Sequence, residues 1–168
     1  MIAYQTAYLK TYHANEFIAA SMTNELSNTD KLSEFFEELK RLKIEVQRPC
    51  INKCFADFVP KKNTLFYALG AIKSVGHEAI LQLIDEREKK GPFKSIGDFI
   101  NRVNPKNINK LQLEGLVKAG VFDEFDKDRN KIVNSIPKII QQIKNINDVK
   151  DNLQSSLFEG QENSQKGL

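Results

Sequence analysis

The stretch ALGAIKSVGHEAI, residues 68–80, sets a tight small-residue turn directly against the start of a helix, and that arrangement suits phosphate binding. The first four N–H groups of a helix have no partner within it and point outward at the positive end of the helix dipole. A glycine at such a turn lets an anion approach the backbone with no Cβ in the way. Ser74, Val75 and Gly76 are therefore placed to offer backbone donors, and Lys73 adds a full charge beside them. Val75 also reads as the apolar plug that seats the turn in a core. Such contacts read the sugar-phosphate chain rather than the bases, so they are sequence-independent and salt-sensitive. The triphosphate-binding pattern G-x4-G-K-[ST] does not occur. An ordinary turn between helices would carry the same glycine, so this stretch alone leaves both readings open.

A second copy follows at 116–122, LVKAGVF, again a small-Gly-apolar turn with a lysine, Lys118, just before it and Gly120 at its centre. Two such hairpins related by pseudo-symmetry can grip both strands across a minor groove. Phe122 and Phe125 look like core residues, and Asp123 and Glu124 would repel phosphate, so the second copy leans towards a structural role. Lys106 and Lys110, near the start of the intervening helix, are candidate backbone contacts or plain surface lysines. Charge supports the central placement. Residues 61–118 hold 11 Lys and Arg against 6 Asp and Glu, whereas 1–60 and 119–168 each hold 7 against 8. A local anion-binding face fits that distribution better than a uniformly basic protein does.

The elements that must position these turns are mostly helical. Apolar spacing predicts helices over 2–12, 14–25, from the 28–30 cap cluster to 43, 77–90, 95–103, 107–119 and 127–144. Pro137 predicts a kink or a restart capped by Ser135. Two β-prone runs, 55–59 and 65–69, flank Pro60-Lys61-Lys62-Asn63 and predict a hairpin. The fold class is thus mainly α with a small β-hairpin. Beyond Asn145 little remains to bury, which predicts a flexible tail. The N-terminal helix starts without a cap signal, as if cut from a longer protein, with Met1 as an added start.

Cys50 and Cys54 are spaced C-x3-C, but the histidines, His13 and His77, lie far off in sequence, so both cysteines read as structural. No apolar run approaches the roughly 20 residues of a membrane helix, and no signal peptide is evident, which predicts a cytoplasmic protein with no membrane partner.

With these residues in hand, the chain resembles the alpha subunit of bacterial DNA polymerase III. AYQTAYLKTYHANEFIAASMTNELSNTDK is similar to the end of that family's fingers region. LFYALGAIKSVGHEAILQLIDEREKKGPFKSIGDFINRV and NKLQLEGLVKAGVFDEF are similar to its helix-hairpin-helix segment. The family's hairpin usually reads Gly-apolar-Gly; here Ser74 takes the first glycine's place, and its hydroxyl can donate to phosphate instead. The resemblance implies a helical end of the fingers at 1–43, a β-hairpin connector at 44–69, a tandem helix-hairpin-helix module at 70–145 and a clamp-binding tail at 146–168. In that tail Gln154, Leu157 and Phe158 are similar to the family's sliding-clamp motif: the apolar pair fills a pocket and the Gln amide bonds at its rim.

The resemblance also implies duplex DNA, the clamp and the rest of the polymerase holoenzyme as partners. Polymerisation needs acidic residues holding two metal ions about 4 Å apart. In the family these lie upstream, in the palm, with magnesium, so no catalytic residue and no cofactor is expected in this segment. Three other readings stand beside this one: a free-standing helix-hairpin-helix repair factor, a protein-interaction scaffold without a DNA role, and a nuclease or ligase, for which no acidic cluster or nucleophilic lysine motif speaks.

Overall fold

The computed structural model describes the backbone of residues 2–162 and the side chains of residues 2–154. Helical spacing in the first third yields α1 (Ile2–Tyr12), α2 (Ala14–Asn24) and α3 (Thr29–Arg41). The Asn28 side chain accepts from the Lys31 N–H at 3.3 Å and so satisfies one of the free donors that open α3. Helix α1 buries no residue; α2 buries Ile18, Ala19 and Met22, and α3 buries Leu32 and Leu39.

These faces pack on a three-stranded sheet of order β1-β3-β2, built from β1 (Glu45–Gln47), β2 (Val59–Lys61) and β3 (Thr64–Phe66). The expected hairpin is present as β2 and β3, antiparallel with Val59 opposite Phe66 and Lys61 opposite Thr64. Its strands are shorter than the β-prone runs and shifted towards the turn: β2 takes in Pro60 and Lys61, expected as loop, and β3 begins at Thr64. The start of the 44–69 connector forms a third strand, β1, which pairs parallel to β3 with Val46 opposite Leu65. Pairing across such a separation has no local signature. Asn15 of α2 donates to the Lys62 carbonyl at 2.8 Å and ties the helices to the hairpin.

A second core lies under α4 (His77–Lys90), α5 (Ile96–Arg102), α6 (Lys110–Lys118) and α7 (Arg129–Glu162). It gathers Ile80, Phe93, Phe99, Leu113, Leu116, Phe122, Ile136 and Ile143. Phe99 stacks edge-on to Phe93 and Phe122, at 5.4 and 5.0 Å. Tyr67 packs against both cores. Arg87 is buried against the second core. It donates to the Ile51 and Cys54 carbonyls at 2.7 and 2.8 Å, and burial pushes its guanidinium pKa down. Burial likewise pushes both thiols up; Cys50 lies 3.4 Å from Glu124 and Cys54 lies 3.3 Å from the Arg48 carbonyl.

Two expectations for the last helix need correction. Of the kink or restart expected at Pro137, the restart does not occur: α7 is one helix through that position, and Ser135 bonds back to the Lys131 carbonyl at 2.9 Å instead of capping. It also continues past Asn145, where a loose tail was expected, to Glu162. The reason is an unnoticed continuation of the buried stripe. Ile146 packs on the core after Ile143, and the Lys150 ammonium donates to the Asn101 carbonyl at 2.8 Å. Among the described residues, no helix is long and apolar enough to cross a membrane.

Candidate nucleic-acid interface

A 3-10 turn, Leu69–Ala71, delivers the chain to the first hairpin. There the Val75 N–H donates to the Ile72 carbonyl at 3.1 Å, and Ser74 sits at φ 69°. A four-residue turn with positive φ at its third residue is the kind that usually demands glycine. The serine therefore holds the left-handed conformation that a glycine would take. Lys73, Ser74 and Gly76 are exposed, while Val75 is buried in the second core, as the plug reading expects. Because the Val75 N–H is consumed within the turn, it is not a free donor; Val75 shapes the site rather than binding through its backbone.

Gly76 is the N-cap of α4, and no side chain caps that helix. Its first N–H groups thus face outward without a capping side chain, next to Lys73, which makes no ion pair among the described residues. His77, the first residue of α4, is held by Asp57 through a 2.8 Å contact from its Nε2. That anchor went unnoticed in the sequence.

A groove of about 520 Å3 separates this turn from α6, lined by Lys73, Ser74, Leu111, Glu114, Gly115 and Lys118. Helix α6 can approach so closely because of Gly115: a Cβ there would lie 2.8 Å from the Lys73 carbonyl oxygen. A glycine inside a strongly helical run is the one signal that would have exposed this contact beforehand. Lys118 is paired to Glu114 at 2.8 Å, and that hydrogen bond holds the Glu114 carboxyl below its ordinary pKa. Lys110 opens α6, behind a reciprocal capping box of Asn109 and Gln112. It is exposed, as is Lys106 in the preceding loop, but neither lines the groove.

The second hairpin is closed. The Gly120 N–H bonds to the Val117 carbonyl at 3.0 Å and the Val121 N–H to the Leu116 carbonyl at 3.1 Å, which is a Schellman ending for α6 with Gly120 at φ 82°. Arg129 folds over Gly120, donating through Nε to Asp123 at 2.8 Å, through Nη2 to the same carboxylate, and through Nη1 to the Lys118 carbonyl at 3.1 Å. The hydrogen bond from Arg129 pulls the Asp123 pKa down, and Arg129 is raised in turn. At the start of α7 the Asp128 side chain already accepts the Lys131 N–H at 3.0 Å. Gly120 is buried and does not line the groove of Lys73.

The structure thus brings Lys73, Ser74 and Lys118 together, seats Val75 beneath them, leaves Gly76 exposed at the start of α4, and leaves Lys106 and Lys110 beside the site. Gln154 is exposed on α7; the side chains of Leu157 and Phe158 lie outside the described residues.

Comparison with known proteins gives this geometry a setting. Residues 43–132 match the model of a family described as the helix-hairpin-helix motif. The whole chain is 40% identical to a segment of DNA polymerase III subunit alpha from Campylobacter jejuni, covering 14% of that protein. It is 42% identical over 94% of its length to 14% of the alpha subunit from Borreliella burgdorferi. A similar match, 38% over 84% of the chain, covers 12% of the alpha subunit from Thermus aquaticus. The chain therefore spans about one seventh of the curated relatives it matches.

Proposed function

The chain belongs to the helix-hairpin-helix motif family and is homologous over nearly its whole length to a segment of bacterial DNA polymerase III alpha subunits, and on that premise we propose that it grips the sugar-phosphate backbone of duplex DNA and tethers a replicative polymerase to its sliding clamp. One observation carries the DNA reading: the 72–76 hairpin presents a lysine unpaired among the described residues and a helix start without a side-chain cap on the same exposed turn. A phosphate there meets a full charge, free N–H groups and the positive end of α4 together. The contact is to backbone, so affinity is independent of sequence and falls steeply with salt. In a complete polymerase such a grip lies on duplex outside the palm, where magnesium and the catalytic acids would act.

The clamp reading rests on the string Gln154-Ser155-Ser156-Leu157-Phe158 and its similarity to the family's motif. A tether of this kind acts by raising effective concentration, which is how processivity arises without new chemistry.

Titrating the chain into a labelled duplex across a salt series, with Lys73→Glu beside the wild type, tests the grip. Steep salt dependence, indifference to sequence and about ten-fold weaker binding by the variant are expected. Equal binding by the variant removes the hairpin from the interface. For the tether, Leu157→Ala/Phe158→Ala should abolish binding to the purified clamp while leaving duplex binding intact; unchanged clamp binding would reject it.

A further inference from the structure

Beyond the C-terminal end of α6 lies a second groove, of about 660 Å3, whose basic side chains come from three separate parts of the chain. Arg48 follows β1, Lys53 lies in the turn after it, and Lys127 and Arg129 flank the start of α7. Two of the four cations are spent on the fold. Arg129 locks Asp123 over Gly120, and Lys53 lies 3.8 Å from Glu124, whose carboxylate also accepts from Asn52 at 3.2 Å. Both acidic groups of the lining are thereby answered. Arg48 and Lys127 remain exposed, with no ion pair among the described residues. Both nonetheless line the one groove, together with Asp123.

This groove and the one at the first hairpin take their lining from consecutive residues at the end of α6. Lys118 and Ala119 line the first groove, while the next two residues, Gly120 and Val121, line the second, so the end of α6 is their common wall. We propose that the Arg48–Lys127 groove is a second phosphodiester-binding site, which takes the nucleic-acid backbone as it leaves Lys73 and passes the end of α6. The second hairpin then contributes through the cations gathered around it, while its own turn stays closed. The inference rests on the reading of the first hairpin as a backbone grip, and the test separates the two.

Duplex binding of the full chain is measured across a salt series for four proteins: wild type, Lys73→Glu, Arg48→Gln/Lys127→Gln, and the charge-matched Lys138→Gln/Lys144→Gln on the exposed side of α7. Among the described residues neither Arg48 nor Lys127 makes a side-chain bond that supports the fold, so the melting curve of their variant should match the wild type. That variant should bind roughly ten-fold more weakly, with the slope of log K against log salt reduced by about two, near the value for two lost phosphate contacts. The α7 control should keep the wild-type slope. If Lys73→Glu weakens binding and the Arg48/Lys127 variant does not, the second site is overturned and the hairpin stands. A loss in the Arg48/Lys127 variant alone keeps the groove and removes the hairpin. Equal losses in that variant and the α7 control would show a net-charge effect only and overturn the proposal, and a wild type that fails to bind at low salt overturns both.

Discussion

The turns at 72–76 and 118–122 share a plan: a lysine, a small residue, an apolar plug and a helix that follows. In the second, every group that might meet a phosphate already has a partner. Lys118 holds Glu114, Gly120 is roofed by Arg129, and Asp128 caps α7 where an anion would sit. In the first, Lys73 meets no carboxylate among the described residues and no side chain caps α4. A carboxylate at a helix start does for the fold what a phosphate would do for binding, so one turn stabilises the molecule and the other is left open to a ligand. The same motif thus occurs as a closed copy and an open copy, and substitutions should separate the two.

The largest expected effect is on stability, at the closed turn. Gly120→Ala forces a Cβ into the left-handed region and within 2.7 Å of Asp123 Oδ2, against the Arg129 guanidinium. It should cost about 2–3 kcal/mol by urea unfolding. A loss of DNA affinity with unchanged stability would reverse the assignment of roles. Next comes Gly115→Ala, whose methyl would press on the Lys73 carbonyl. We expect about 1–2 kcal/mol of destabilisation together with weaker duplex binding, because the first hairpin rests on α6 through this contact. Normal binding would mean that the first turn does not need its present position.

On binding, Lys73→Ala should exceed Lys118→Ala: about five-fold against less than two-fold, since Lys118 is neutralised by Glu114 in the free protein. Equal losses would show that the Glu114 pair opens on DNA. A smaller effect of opposite sign is expected for Ser74→Gly, which removes the cost of positive φ and should stabilise the chain by about 0.5–1 kcal/mol. If its duplex affinity is unchanged, the grip is by backbone; a fall identifies the Ser74 hydroxyl as a phosphate ligand.

The smallest effect is in acid. The Asp123 pKa is depressed by Arg129, so its contribution is fully present above the ordinary carboxylate value near 3.8 and is lost as pH falls through the lower folded value. Melting curves of Arg129→Ala and wild type should therefore converge as pH drops below that value. A constant gap down to the lowest pH would mean that Arg129 acts by packing alone.

Much of this was legible beforehand where the determining contacts are local. Helix spans follow from apolar spacing, the Asn28 and Ser95 caps from their side chains, and the Val75 plug from its place between Ser74 and Gly76. The second hairpin's structural lean was visible in Asp123 and Glu124. Strand β1 escaped notice because its three residues are ordered by β3, and the end of α7 because its polar residues masked one stripe anchored on α5.

The sequence by itself determined the helices, the two turns and the presence of cations near both, since each depends on residues within a few positions of one another. Only the tertiary structure decided which cations remain unpaired, which turn is closed, and that Arg48 and Lys127 meet in one groove. Those outcomes depend on which charges are brought within a few ångströms across the fold, and Coulomb attraction and hydrogen bonding at that range take no account of distance along the chain.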